Sequence, residues 1–221
     1  MRRLVCWLFV AAAVFAACEQ DIYEKGDSAT SYVQADFVEA FVNGSKQVEY
    51  VITDDGERLP LKEPYTGSWV QKADTVYRSL MYYSHIGEVA EVMSLSRVPM
   101  LSAKRDTLAV GKWKKDPVGL ETIWLSRNKK YLNLGLLLKT GETADKQQSQ
   151  TLGVVISGFS LNADTTRTCN MALSHWQADT PQYYTQRTYL SISVEGLEAD
   201  SLCFTLNTYD GVVTKKFRIQ E

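Results

Sequence analysis

Histidine is nearly missing from this chain: among 221 residues only His85 and His175 occur, one in each half. A histidine-based metal site would therefore need carboxylates brought from the other half of the sequence. The sequence also lacks His-x-x-x-His, Cys-x-x-Cys, Gly-x-Ser-x-Gly and any glycine-rich phosphate loop, so no zinc spacing, nucleophile elbow or nucleotide cradle can be read from it. Catalytic triads meet in space rather than in sequence, but no serine here stands on a strained turn, and we read the chain as a non-enzyme with no metal and no cofactor. Cationic charge is short as well, with 24 Lys and Arg against 26 Asp and Glu. That balance disfavours nucleic acid, whose binding draws on cationic contacts to phosphate. Beyond the N-terminus no apolar run approaches the about 20 residues that a membrane span needs.

What is present starts with Met1-Arg2-Arg3, an apolar run from Leu4 to Val14, and Phe15-Ala16-Ala17-Cys18. This is the order of a bacterial lipoprotein signal peptide, residues 1–17, with Cys18 as the lipidated first residue of the mature chain. An ordinary secretory signal cut near Ala17 is the alternative. Loss of Arg2 and Arg3 with the signal takes the net charge from −2 to −4. Residues 18–30 are polar and acidic without periodicity, and read as a tether, of which the ten residues 19–28 alone reach roughly 35 Å when extended. The protein is then expected at the outer membrane, facing the periplasm or the cell surface. Cys6 leaves with the signal, so Cys169 and Cys203 remain in an oxidising envelope. They form either a disulfide or two separate buried thiols.

From Ser31 onward the pattern alternates and predicts strands. Residues 32–42 give a long strand with a phase change near Phe37-Val38, read as a bulge or bend. Asn43-Gly44 signals a hairpin to residues 46–53. Asp54-Asp55-Gly56 is a turn; its paired aspartates suit turn chemistry better than a cation. A strand around Pro60, a loop over 62–73, and strands over 75–83 and 88–101 complete a small OB-like barrel, residues 31–105. Residues 106–221 continue with strand patterns at 123–125, 131–138, 151–161, 169–176, 185–194, 201–207 and 212–219. Turn signals between them and the lack of helical periodicity predict an antiparallel β-sandwich. The fold class is all-β.

Trp69, Trp113, Trp176, Tyr183 and Tyr184, with Tyr65, fall in or near expected loops. They either contact a ligand, stacking on sugar faces, or cap the two cores. Lys112, Lys114, Lys115, Lys129 and Lys130 read as solvated turn charges, and His175 as a sandwich residue with a polar tip.

Asp116-Pro117-Val118, Trp124 and Tyr131-Leu132-Asn133-Leu134 resemble the corresponding motifs of the NigD-like lipoprotein family. The likeness extends to the lipobox, the Asp55-Gly56 turn, Leu173-Ser174-His175-Trp176, Leu202-Cys203-Phe204-Thr205-Leu206 and Tyr209-Asp210-Gly211, and so covers nearly the whole mature chain. Trp176 departs from it, standing where asparagine is usual. The resemblance implies an N-terminal OB-like domain, a C-terminal β-sandwich and membrane attachment through Cys18. The family takes its name from a bacteriocin-immunity lipoprotein, which implies a partner that is another envelope or secreted protein. A surface glycan serving an uptake system is the competing expectation.

Overall fold

The computed structural model describes residues 33–105, 113–142 and 149–220. Cys18, the signal segment, the tether and Lys112 lie outside the described residues. Gln34–Glu221 forms one compact unit, and its described residues contain strands and turns but no helix.

Five strands close a barrel: β1 (Gln34–Val42), β2 (Val48–Thr53), β3 (Arg58–Tyr65), β4 (Thr75–Ile86) and β5 (Val89–Arg97). Their order, β1-β2-β3-β5-β4 with β4 pairing back onto β1, is that of an OB barrel. The seam between β3 and β5 is parallel and thin, with Leu61 registered on Ala90 beside Pro60. Strand β3 runs to Tyr65, so the expected loop begins later than residue 62. At Asn43-Gly44 the chain makes a longer loop than the dipeptide suggests. The Asn43 Oδ1 atom accepts the N–H groups of Ser45 (2.9 Å) and Gln47 (3.0 Å), and Lys46 takes the positive φ.

Strand β1 explains its own phase change. Phe37, Val38, Glu39 and Ala40 are buried in succession. Val38, Ala40 and Val42 fill the barrel core, whereas Phe37 and Glu39 leave from the opposite face. There Phe37 meets the rings of Trp124 (5.1 Å) and Tyr189 (5.7 Å) edge-on, and Glu39 accepts the Tyr131 hydroxyl at 2.6 Å. The strand is covered at this point on one face by the barrel core and on the other by side chains from the outer face of a second sheet, and its bulge sits further on, at Phe41/Val42.

The second core lies between two sheets. One is β6-β12-β9-β8, from Met100–Leu101, Tyr184–Ser193, Tyr131–Thr140 and Gly119–Leu125; the other is β14-β13-β11-β10-β7, from Gly211–Arg218, Ser201–Thr208, Arg167–Trp176, Thr151–Leu161 and Ala103–Arg105. Residues 100–105 therefore pair with the sandwich, and the barrel strands end at Arg97, ahead of the division expected at 105. Most pairs are antiparallel, as expected, but β11 runs parallel to β13, and β6 and β7 join parallel to β12 and β10.

Strand β9 is two-sided. Leu132, Leu134, Leu136 and Leu138 belong to the sandwich core, while Tyr131, Asn133 and Gly135 alternate to the other face. At Gly135 a Cβ would lie 2.8 Å from Thr122 Cγ2 and 3.1 Å from the Tyr189 ring, so only glycine lets these side chains close over the strand.

A buried polar cluster joins barrel to sandwich. Arg78 of β4 donates from Nη2 to Asp54 Oδ2 (2.6 Å) and Asn133 Oδ1 (3.1 Å), and from Nε to Ser191 Oγ (3.2 Å). Asn133 Nδ2 donates to Asp54 Oδ2 (3.0 Å), Ser191 Oγ donates to Asn133 Oδ1 (2.7 Å), and the guanidinium lies 4.1 Å from the centre of the Tyr131 ring. Asp54 thus does more than shape its turn. Lys130, expected to be solvated, reaches Glu39 at 3.3 Å.

Burial, followed by the hydrogen bond to Glu39, pushes the Tyr131 phenol well above its ordinary value of 10.0. The same causes, with Asp36 as acceptor, push up Tyr83. Both phenols favour the protonated form when folded, so their contribution is fully present below about pH 10 and declines as pH rises further, because the unfolded chain ionises first. Denaturant titration between about pH 9 and 11.5 should show this decline, and Tyr83→Phe should make it shallower.

Candidate functional site

The site arises where two parallel strands part. β11 and β13 pair from Thr168 with Ser201 to Ala172 with Thr205. Beyond Ala172 the segment from Lys114 to Val118 enters between them. On one side His175 N–H donates to Lys114 O (3.1 Å) and Asp116 N–H to His175 O (3.0 Å); on the other, Val118 N–H donates to Asn207 O (3.1 Å) and Tyr209 N–H to Val118 O (3.3 Å). Asn207 Nδ2 fastens Lys115 O at 2.8 Å. The backbone groups exposed by the divergence are satisfied by this inserted segment.

Asp116 and His175 are the anchors of the insertion. Asp116 Oδ2 accepts Gln177 N–H at 2.7 Å. His175 is buried, with Nδ1 3.1 Å from Asp116 O and Nε2 3.2 Å from the Gln150 amide. Two motifs that carried the family resemblance, Asp116-Pro117-Val118 and Leu173-Ser174-His175-Trp176, therefore meet in space and hold the split open.

The insertion sets Trp113 on the outer face of the five-stranded sheet. Beneath it is a cleft of about 440 Å³, lined among others by Lys115, Ala172, Cys203, Thr205 and Val212. That volume is in the range of ligand and side-chain pockets, about 300–1,000 Å³. Its lining contains one charge, Lys115, and no carboxylate. The Lys115 ammonium stands 4.8 Å from the centre of the Trp113 ring, a cation–π contact. The Trp113 Nε1–H donor is buried and has no acceptor among the described residues; an unmet buried donor costs about 1–3 kcal/mol.

The other expected ligand aromatics do not converge on this cleft. Trp69 donates to Leu95 O at 3.2 Å and packs edge-on against Tyr77, and Tyr65 donates to the same carbonyl at 3.1 Å, so both cap the barrel core. Trp176, Tyr183 and Tyr184 are exposed, by 41, 81 and 55%, but none lines the cleft.

Cys169 and Cys203 are both free thiols. The disulfide alternative fails on geometry. Cys169 registers with Leu202, and Cys203 with Asn170, so the thiols leave adjacent strands on opposite faces of the sheet. Cys169 is in the core and Cys203 in the cleft. Burial pushes the Cys169 thiol up and removes it from reagent. In a chain that starts at Glu19, and so carries neither Cys6 nor Cys18, native titration with a thiol reagent should register one thiol rapidly, at Cys203, and unfolding should reveal Cys169.

A second depression on the barrel, about 410 Å³, is lined by Asp36, Asp55, Glu57, Tyr83 and His85. Its acids are engaged in part, Asp36 by the Tyr83 hydroxyl (2.9 Å) and Asp55 by Arg127 (3.2 Å). Among the described residues no three His, Cys, Asp or Glu side chains are grouped so as to hold a metal.

The barrel and the split sandwich together define an all-β architecture of OB barrel followed by a two-sheet sandwich. No family model matches the chain, and no curated protein does. Solved structures match across most of its length. A NigD-like immunity protein from Bacteroides caccae superposes with a TM-score of 0.61 at 23% identity, over 84% of this chain and 96% of that one. A protein from Parabacteroides distasonis, named as toxin related, gives 0.64 at 16% identity over 85 and 93% of the two chains. A protein of unknown function from Bacteroides vulgatus gives 0.60 at 17%, over 84 and 90%. The chain has the NigD-like fold, the architecture that its motifs implied.

Proposed function

We propose that the protein is a non-catalytic envelope lipoprotein, held in the outer membrane by lipid on Cys18, that binds another envelope or secreted protein. One observation carries this reading: the cleft beneath Trp113 joins an apolar floor to an unmet donor on an otherwise polar sheet face. Such a patch suits a protein side chain. A glycan platform needs exposed rings gathered in one cleft, and here Trp69 is packed into the barrel while Trp176, Tyr183 and Tyr184 stand outside the cleft. The name of the Bacteroides caccae neighbour, an immunity protein, favours a form of this function in which the partner is a toxin that is blocked.

Crosslinking and pulldown from intact cells test the proposal, with Cys18→Ala as the unanchored control. One envelope or secreted protein at near-stoichiometric yield, lost in the control, is the expected result. Absence of any enriched protein would overturn it.

A further inference from the structure

We infer that the Trp113 cleft receives an apolar side chain of the partner that is flanked by a carboxylate. This rests on the protein-binding function proposed above and names the chemistry the partner must carry. The rim of the cleft is largely self-satisfied: Asn170 Nδ2 donates to Ser160 Oγ (3.3 Å), Thr205 and Thr214 share a hydroxyl hydrogen bond (3.1 Å), and Asn207 holds Lys115 O. Two groups are left over. Trp113 Nε1–H has no acceptor, and no carboxylate pairs with Lys115 among the described residues. Both are donors only, and one is cationic: exposed Lys115 asks for an anionic acceptor, and the enclosed indole N–H beside it shares that acceptor once the ring turns toward the cleft.

The sheet around them agrees in sign. Lys216 registers opposite Cys203 and shares its outward face, and the lining of the cleft contributes no acid. A local positive face on a chain of net charge −2 complements an acidic partner segment. The floor sets the rest of the chemistry. Ala172, Cys203 and Val212 offer apolar atoms, and Val212 is 70% exposed, so its surface leaves water only when something covers it. About 440 Å³ accommodates a side chain and its neighbour rather than a folded element.

Display of random peptides against the full chain tests this, with Val212→Asp, Lys115→Glu and Trp113→Phe as comparators. Val212 and Lys115 are exposed, and an unchanged thermal midpoint confirms that each variant is folded. Selected peptides should place Asp or Glu within about two residues of Phe, Leu, Ile or Trp and should slow alkylation of Cys203. They should lose about tenfold or more in affinity on Lys115→Glu and Val212→Asp, and about fivefold on Trp113→Phe, which keeps a ring but lacks the N–H. No selected peptide, peptides without acid, or equal binding to Lys115→Glu would overturn the inference. So would equal protection of Cys203 by free 3-phenylpropionate at the same concentration, which would make the cleft a small-molecule site. If cells yield a partner that Val212→Asp still captures, this inference fails and the protein-binding function stands; if cells yield none, that function itself fails.

Discussion

Arg78→Ala lowers stability by about 3–5 kcal/mol, the loss expected when one member of a buried ion pair is removed. The arginine is 5% exposed, and its Asp54 partner keeps only a small solvent window. Truncation leaves the Asp54 carboxylate facing Asn133 without its cation, opens a void over Tyr131, and deprives Ser191 and Asn133 of their shared donor. Equilibrium urea unfolding measures the loss. The ion pair is a device for alignment more than a source of net stability, because desolvating two charges offsets much of their attraction. Replacing both partners, Arg78→Met with Asp54→Leu, should therefore cost clearly less than the two single losses added together. Equality of the double loss with that sum would contradict the description of the cluster as one coupled unit.

Phe37→Ala is the second large effect, about 3–5 kcal/mol, the usual cost of emptying a buried aromatic site. Most changes of this kind weaken one core, but Phe37 belongs to the interface, where Trp124 and Tyr189 close on its ring. The barrel and the sandwich should therefore lose cooperativity. Barrel and sandwich probes, read by hydrogen exchange at Val51 and Leu134, should unfold together in the parent and separately in Phe37→Ala. Coincident transitions in the variant would show that Phe37 adds stability without coupling the two parts.

Much of the fold was legible because alternation and turn chemistry are local. The strands of the barrel, the two-sided run at Tyr131–Thr140 and the closing hairpin each declare themselves within a dozen residues. What misled was burial on both faces of a barrel strand, whose outer face would ordinarily meet solvent. Phe37 and Glu39 broke the period of β1 because Trp124, Tyr189 and Tyr131 of the sandwich close over its outer face, a pattern that reads in the sequence like a bulge. The polar residues of the interface carried a usable signal: Asn133 interrupts an apolar strand, and a buried amide requires partners. Its partners Arg78, Asp54 and Ser191 come from 55, 79 and 58 residues away, beyond the reach of any pattern. The cleft was hidden for a similar reason. Trp113 could be named as a candidate, but its separation from Trp176 and Tyr183 depends on where Lys114–Val118 splits the sheet. The pairing of Cys169 and Cys203 turned on strand register, which places neighbouring thiols on opposite faces.

Position-specific photo-crosslinking in intact cells tests the central claim most directly. A photoreactive residue replaces Val212 in the cleft, or Tyr82, which is exposed on the barrel. Binding through the sheet face predicts one adduct of defined mass from position 212 and none from position 82. An adduct from position 82 alone, or from neither position, would contradict it.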